Sequence, residues 1–357
     1  MLSSVNSSSG QNIGILLTNL GTPDSPATSD VRRYLREFLS DRRVLDVNPV
    51  VSWLLRNLII LPFRPRKSAA AYRAIWTPEG SPLLAFSRRL CDGVARELGS
   101  GFSVELGMRY GSPPIGEALE RLRQAGAESI VALPLYPQYS AATTGSSLAR
   151  IYELAATHWD VPAIHALGAF WDQPRFIEAY ADGARGPMAE FGADHVLFSY
   201  HGLPEHQLLK SDPSSHGHCL TRDDCCSSLG PINRGCYRAQ CFATTRALAT
   251  ALELPAQRWS VSFQSRLGRT PWIQPYTDRV LPELAGSGIN RLAVLCPAFA
   301  TDCLETLEEI GIRLRRQWQD LGGDAFLLAP CPNASPPWVR AVADMVREAV
   351  AAESPRT

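Results

Sequence analysis

The chain lacks a charge excess. Its 35 lysines and arginines balance 35 aspartates and glutamates, and the formal net charge is zero. Phosphate backbones are bound through a basic surplus, so no nucleic-acid partner is expected. A long apolar run is also missing, and nothing approaches the roughly 18 apolar residues of a membrane span. The N-terminal MLSSVNSSSGQ has neither the basic start nor the apolar run of a secretory leader, and residues 1–11 read as a disordered tail. A cytosolic location is expected, and thiols there stay reduced. No Cys-x-x-Cys pair occurs, so the spacing of a zinc ribbon is absent. No short internal repeat is present.

What is there is a chain of 357 residues with 45% hydrophobic content, long enough for two domains of ordinary size. Eight apolar runs read as strands: 13–21, 103–111, 129–140, 163–171, 195–204, 258–266, 291–299 and 325–333. Amphipathic stretches at 114–126, 146–158 and 241–254 lie between them. Continuous apolar strands alternating with helices predict parallel sheets in an α/β architecture. The expected organisation is two Rossmann-like lobes, 12–175 and 192–335, joined by a helix over 176–191. A C-terminal helix and tail follow over 336–357.

Six strands end in polar clusters: NLGTPDSP, MRYGSPP, YPQYSAATTGSS, SYHGLPE, SFQSRLG and CPAFATD. Ligands in open α/β sheets sit beyond the carboxyl ends of strands, so these endings should line one active cleft between the lobes. His201 ends such a strand, where a neutral imidazole can accept a proton or hold a divalent metal. Glu305 has two readings. Asp302-x-x-Glu305 fits a helix capping box, which would make both carboxylates structural. Alternatively, Glu305 and Glu309 share a helix face, and a row of like charges entering a cleft suits a path for a cation or proton. Arg64, Arg66, Lys67, Tyr72, Arg109 and Tyr110 form a basic and aromatic set suited to carboxylate pairing, or simply a solvated surface. Gln264, Ser265 and Arg266 close another strand. VVSWLLRNLIILPFRPRK, residues 50–67, is apolar and then basic. It reads either as a buried helix or as an exposed flap resting on a membrane surface or a greasy ligand.

HCLTRDDCCSSLGPINRGCYRAQC, residues 218–241, carries five of nine cysteines, at 219, 225, 226, 236 and 241. In a reducing compartment such density favours metal or iron–sulfur binding over disulfides.

Taken together, LLTNLGTPDSP, REFLSDRRV, YRAIWTPEGSPL, MRYGSPP, LPLYPQYSAATTGSS, SYHGLPE, SFQSRLGRTPWIQPYTD and DCLETLEEI resemble the ferrochelatases, collinearly from about residue 12 to 350. That resemblance implies insertion of Fe²⁺ into protoporphyrin IX, the last step of haem synthesis. Coproporphyrin, another tetrapyrrole chelation and a non-catalytic tetrapyrrole or iron–sulfur sensor stand as alternatives. It implies His201 and Glu305 as the catalytic pair that accepts pyrrole protons and guides the iron. Glu309 and Asp302 then lie on the iron and proton path, although a further acidic position of some members falls at Arg313. Arg64, Tyr72 and Ser81 match holders of the porphyrin propionates, Ser81 only after a two-residue shift. Arg109, Tyr110, Tyr136, Trp272 and Phe299 would line the pocket. The stretch 50–63 matches the lip over the porphyrin, and 50–67 a peripheral contact with the inner face of a membrane. Monomer and homodimer both remain open.

In ordinary members the loop after SYHGLP is short and ends near the equivalent of Cys241. Here it is expanded, and the insertion spans 211–241. The animal arrangement of a [2Fe–2S] cluster does not apply, because Ala141 occupies its internal position and no cysteine-bearing extension follows. Four of the five thiols can hold [2Fe–2S] or zinc, and the resemblance favours the former. Adjacent residues seldom both reach one cluster, so the expected set is Cys219, Cys226, Cys236 and Cys241, with Cys225 spare.

Overall fold

β1, Ile13–Thr22, is buried along nearly its whole length, as a strand flanked on both edges and covered on both faces must be. It pairs in parallel with β2, Phe102–Gly111, and with β3, Ser129–Pro134. β3 pairs in turn with β4, Ala163–Ala166, which completes a four-stranded parallel sheet in the order β2-β1-β3-β4. The second sheet has the same order: β6, Trp259–Gln264; β5, His195–His201; β7, Arg291–Leu295; β8, Ala325–Leu328. These come from a computed structural model that describes residues 12–353 apart from 216, 223 and 269. The expected tail 1–11 and the residues after 353 lie outside the described residues.

All eight expected strands form, but several stop earlier than their apolar runs. β3 ends at Pro134, and the following LYPQYS leaves the sheet as a buried loop at its carboxyl end. The helix Pro174–Phe191 runs between the two sheets and closes on Gly192 in a left-handed conformation. The expected helix at 241–254 starts earlier, at Tyr237, so the last cysteine of the insertion is already helical.

Each sheet is covered by helices, and one core runs from the first lobe into the second. The last helix, Pro336–Glu353, folds back onto Pro82–Leu98 of the first lobe. Its Trp338 is fully buried against Phe170 and Phe176. The lobes also meet where Leu304 packs on Val31, Ala69 and Tyr72.

Three helical segments near the strand ends have the wider turn of a π-helix: Leu55–Ile60, Ala141–Gly145 and Glu305–Leu314. Such turns are rare and cluster at functional sites.

Candidate active site

β5 is the strand from which the sheet order diverges, with β6 on one side and β7 on the other. A ligand crevice is expected beyond its carboxyl end. His201 is the last residue of β5 and sits there half-buried, its ring 6.5 Å from that of Trp272. Its Nδ1 lies 2.7 Å from the carbonyl oxygen of Gly202. A carbonyl only accepts, so in the neutral ring Nδ1 carries the proton and Nε2 keeps a free lone pair. The backbone thus sets the tautomer of the ring.

Gly202 must be glycine. A Cβ there would stand 2.8 Å from the Gln264 carbonyl oxygen and 3.1 Å from Trp272 Cε3. Its N–H donates to that same Gln264 carbonyl at 2.9 Å. The Gln264 side chain then reaches the other half of the site: Nε2 donates to the backbone oxygen of Glu305 at 3.1 Å, and Oε1 accepts from Ser199 at 2.7 Å. Gln264 is buried, so each of these bonds satisfies a group withdrawn from water.

Glu305 opens the wide helix Glu305–Leu314. The capping box read from the sequence does not form. Asp302 Oδ1 accepts from the Thr306 hydroxyl at 2.8 Å, and Oδ2 accepts from Asn333 Nδ2 at 2.7 Å and Cys331 N at 3.3 Å. Asp302 therefore clasps the segment after β7 to the segment after β8, with both oxygens engaged. Glu305 is left free of it and faces the first lobe, where its negative charge adds to burial in raising the Tyr72 hydroxyl well above its usual range.

Glu309 is held by Ser265, whose N–H and hydroxyl donate to its two oxygens at 3.0 and 2.7 Å. Ser265 adopts a positive φ of 66° to do so. Arg313 pairs with Glu308 at 2.8 Å and stands 3.8 Å from Glu309. A cavity of about 220 Å³ lies at this end of the row, lined by Ser265, Arg266, Asp278, Glu309 and Arg313 among others. His201 and Glu305 are not on its wall, so it is a side pocket at Glu309 rather than the cleft itself.

The residues expected at the porphyrin divide into two groups. Arg64 is exposed, with Arg66 and Lys67 beside it, while Phe299 is half-buried and Trp272 is buried with its N–H on the Leu267 carbonyl. Others are committed within the first lobe. Arg109 pairs with Asp41 at 2.7 Å, and the Tyr110 hydroxyl donates to the same carboxylate at 2.9 Å. Burial alone would raise the Asp41 carboxyl, but hydrogen bonds from Ser146, Arg43 and Tyr110 outweigh it and hold it below its usual value. Ser81 is buried on the Thr22 hydroxyl at 2.8 Å, and Tyr136 is buried near Ser147. Asp41 lies within REFLSDRRV, but its bonding was not legible there, because apart from Arg43 its partners lie about 70 and 105 residues away along the chain.

The stretch 50–63 is not a buried helix. Val50, Trp53, Leu58, Ile59 and Phe63 are all more than half exposed, reaching 75% at Phe63. Among the described residues, no helix is long and apolar enough to cross a membrane.

All five insertion cysteines are buried and unpaired. Cys225 and Cys226 place their sulfurs 3.7 Å apart, and Cys219 and Cys226 are each in hydrogen-bond contact with Cys236. Burial first pushes the Cys219 and Cys225 thiols up, while for Cys226 the Cys236 thiol leads and burial follows. Asp212 anchors the start of this knot by accepting from the backbone N–H groups of His218 and Cys219 at 3.1 and 2.8 Å. The buried Asn233 ties its middle, donating to the carbonyls of Cys225 and Ser228. Cys241 is fully buried, in contact with Tyr237 and near enough to Cys226 for their charges to interact. Cys225, expected to be spare, touches Cys226 directly. Among the described residues no three His, Cys, Asp or Glu side chains converge on one metal-ion position.

Comparison with known sequences points to one family. The ferrochelatase family model matches residues 12–350. A ferrochelatase of Coxiella burnetii (strain CbuK_Q154) is 48% identical over 95% of this chain and 94% of its own length. A ferrochelatase of Legionella pneumophila (strain Paris) is 44% identical over 94% of this chain and 99% of its own. Among solved structures, SirB from Bacillus subtilis with Fe³⁺ superposes with a TM-score of 0.51 at 13% identity, covering 96% of each chain. At that identity the likeness concerns the fold.

Proposed function

The chain belongs to the ferrochelatase family, and on that premise we propose how its cleft performs the reaction. The enzyme inserts ferrous iron into protoporphyrin for haem synthesis, a metal chelation classed with the lyases. Fe²⁺ is therefore a substrate. As iron takes the four pyrrole nitrogens, two N–H protons leave and no electron is transferred. The site has to accept protons from the macrocycle and bring a cation to its centre.

The observation that carries the assignment is the backbone lock on His201. With Nδ1 committed to the Gly202 carbonyl, Nε2 is the atom left to take a pyrrole proton. Glu305, tied to the same scaffold through Gln264, supplies a carboxylate for the incoming cation or the second proton. Glu309, presented by Ser265 at the side pocket, suits the step before it. Arg313 neutralises the position beyond, so the acidic row in this chain is short. Exposed Arg64 at the rim suits a propionate of the porphyrin, and Trp272 and Phe299 give the flat apolar wall a macrocycle needs. Buried Tyr72 and Tyr136 suit the floor beneath it.

Anaerobic incubation with Fe²⁺, followed by loss of porphyrin fluorescence, tests this reading. His201→Ala should lower turnover by about 10²–10⁴-fold, the usual worth of a positioned proton acceptor. Near-normal turnover in that variant would sink the assignment. Running protoporphyrin beside coproporphyrin separates the two substrates, and no loss with either would favour a sensor.

The thiols Cys219, Cys225, Cys226 and Cys236 form the second part of the proposal. A sulfur–sulfur distance of 3.7 Å equals that of two thiolates on one tetrahedral metal with bonds of about 2.3 Å. A [2Fe–2S] cluster needs two thiolates per iron and no set of three on one centre, so this donor set fits it. Such a cluster supplies one-electron capacity and a cross-link, and the proton-for-iron exchange uses neither directly. Its place is that of a staple in the insertion. We also propose that the exposed face of 50–63, with Arg64, Arg66 and Lys67 behind it, rests on the inner face of a membrane.

A further inference from the structure

The helix Tyr237–Ala251 begins at Cys236, so the cysteine-rich insertion feeds directly into its first turn. Three contacts leave that turn. The Tyr237 hydroxyl donates to the backbone oxygen of His201 at 2.8 Å. Arg238 Nε donates to the Gln274 carbonyl at 3.0 Å, on the segment that carries Trp272. Gln240 Oε1 accepts the N–H of Tyr139 at 2.8 Å, across the cleft in the first lobe.

We propose that Tyr237 is a positioning residue for His201, and that through it the insertion sets the seat of the proton acceptor. The proposal rests on His201 having that role. His201 ends its strand, so its carbonyl has no further ladder partner in the sheet. Tyr237 supplies the missing donor from a ring that is itself buried. The His201 peptide is then held from two sides, by Tyr237 on its oxygen and by Gln264 on the next N–H. With both bonds made, the peptide plane is fixed, and with it the direction in which the imidazole leaves the strand. The phenol has one proton, and it is spent on His201.

A displaced acceptor slows proton removal without weakening the grip on the porphyrin. Tyr237→Phe should therefore lower kcat by about 10- to 100-fold while leaving the porphyrin KM within twofold. Porphyrin affinity, measured by quenching of tryptophan fluorescence, should be unchanged. Tyr237→His, which keeps a ring N–H donor, should recover at least a third of the lost turnover on a logarithmic scale. A Tyr237→Phe enzyme with kcat within twofold of the parent overturns the proposal. So does a parallel loss of kcat and porphyrin affinity, or failure of both Tyr237 variants to fold, since either makes Tyr237 merely structural. His201→Ala is the control: if it stays active, the proton-acceptor reading fails whatever Tyr237 does.

Discussion

The side-chain amide of Gln264 donates to the backbone oxygen of Glu305, while the backbone oxygen of Gln264 takes the N–H that follows His201. One residue thus spaces the two proposed catalytic groups. Gln264→Leu, close in volume but without an amide, leaves the Glu305 carbonyl and the Ser199 hydroxyl short of a partner. A stability loss of about 1–3 kcal/mol is expected in urea unfolding, with a larger fall in turnover than in porphyrin affinity. Unchanged unfolding and turnover would show that the bridge is incidental.

Gly202→Ala places a methyl against the Gln264 carbonyl oxygen, a backbone atom that cannot swing away. The strand ends must separate to admit it. Overpacking of this kind costs about 1–3 kcal/mol. Chelation should drop along with stability, and a crystal structure of the variant should show β5 and β6 splayed at His201.

His195, at the start of β5, has Nε2 2.8 Å from the Ser260 hydroxyl. Burial first, and then the Arg258 charge, lowers its pKa below 6.5. The unfolded chain then binds the proton more readily than the native one. The native state is fully favoured above the unfolded pKa of about 6.5 and loses stability as the pH falls through that value. The slope from this one group is at most about 1.4 kcal/mol per pH unit. His195→Gln should flatten the stability curve between about pH 6.5 and 5 in urea titrations. An identical slope in parent and variant would rule the group out.

The contact group of thiols predicts a coloured protein. Serine at 219, 225, 226 or 236 should abolish visible absorption by the purified enzyme, and serine at 241 should leave it. Loss of colour in Cys241→Ser with retention in Cys225→Ser would restore the set expected from sequence. A colourless preparation containing zinc would refute the cluster altogether.

The exposed lip predicts partitioning onto lipid. Transfer of one large apolar side chain is worth about 2 kcal/mol, so Trp53→Asp with Phe63→Asp should weaken binding to anionic vesicles on the order of a thousandfold. Co-sedimentation with vesicles reads this directly. Equal sedimentation of parent and double variant would leave the lip as a cover for the porphyrin alone.

The α/β fold was legible because parallel strands buried on both faces leave continuous apolar runs, and all eight runs became strands. Their ends were less legible. Apart from Tyr139, the LYPQYS segment after Pro134 is as buried as the strand before it, and composition does not separate the two. The candidate His201 could be placed from its position at the end of an apolar run. Its contacts could not: Tyr237 and the Gln264 carbonyl meet the backbone of the His201–Gly202 peptide, and bonds to backbone leave no mark on side-chain patterns. Asp302 misled for a related reason. Its spacing to Glu305 matches a cap, yet its partners Cys331 and Asn333 come from a different strand ending. In the cysteine stretch, thiols drew attention away from the phenol between them.

The return of the final helix onto the first lobe has a consequence for synthesis. Trp338, Val342 and Val346 belong to the same core as Ile15, Leu90 and Val131, although more than 200 residues separate them from the nearest of these. On the ribosome the first lobe emerges with a gap in its interior that only residues near the far end of the chain can fill. Its strands can pair early, but its packing stays unfinished until translation has passed the second lobe. The order of events is thereby set: both sheets first, then the tryptophan latch that draws them together, and only then a finished cleft in which a porphyrin can be held.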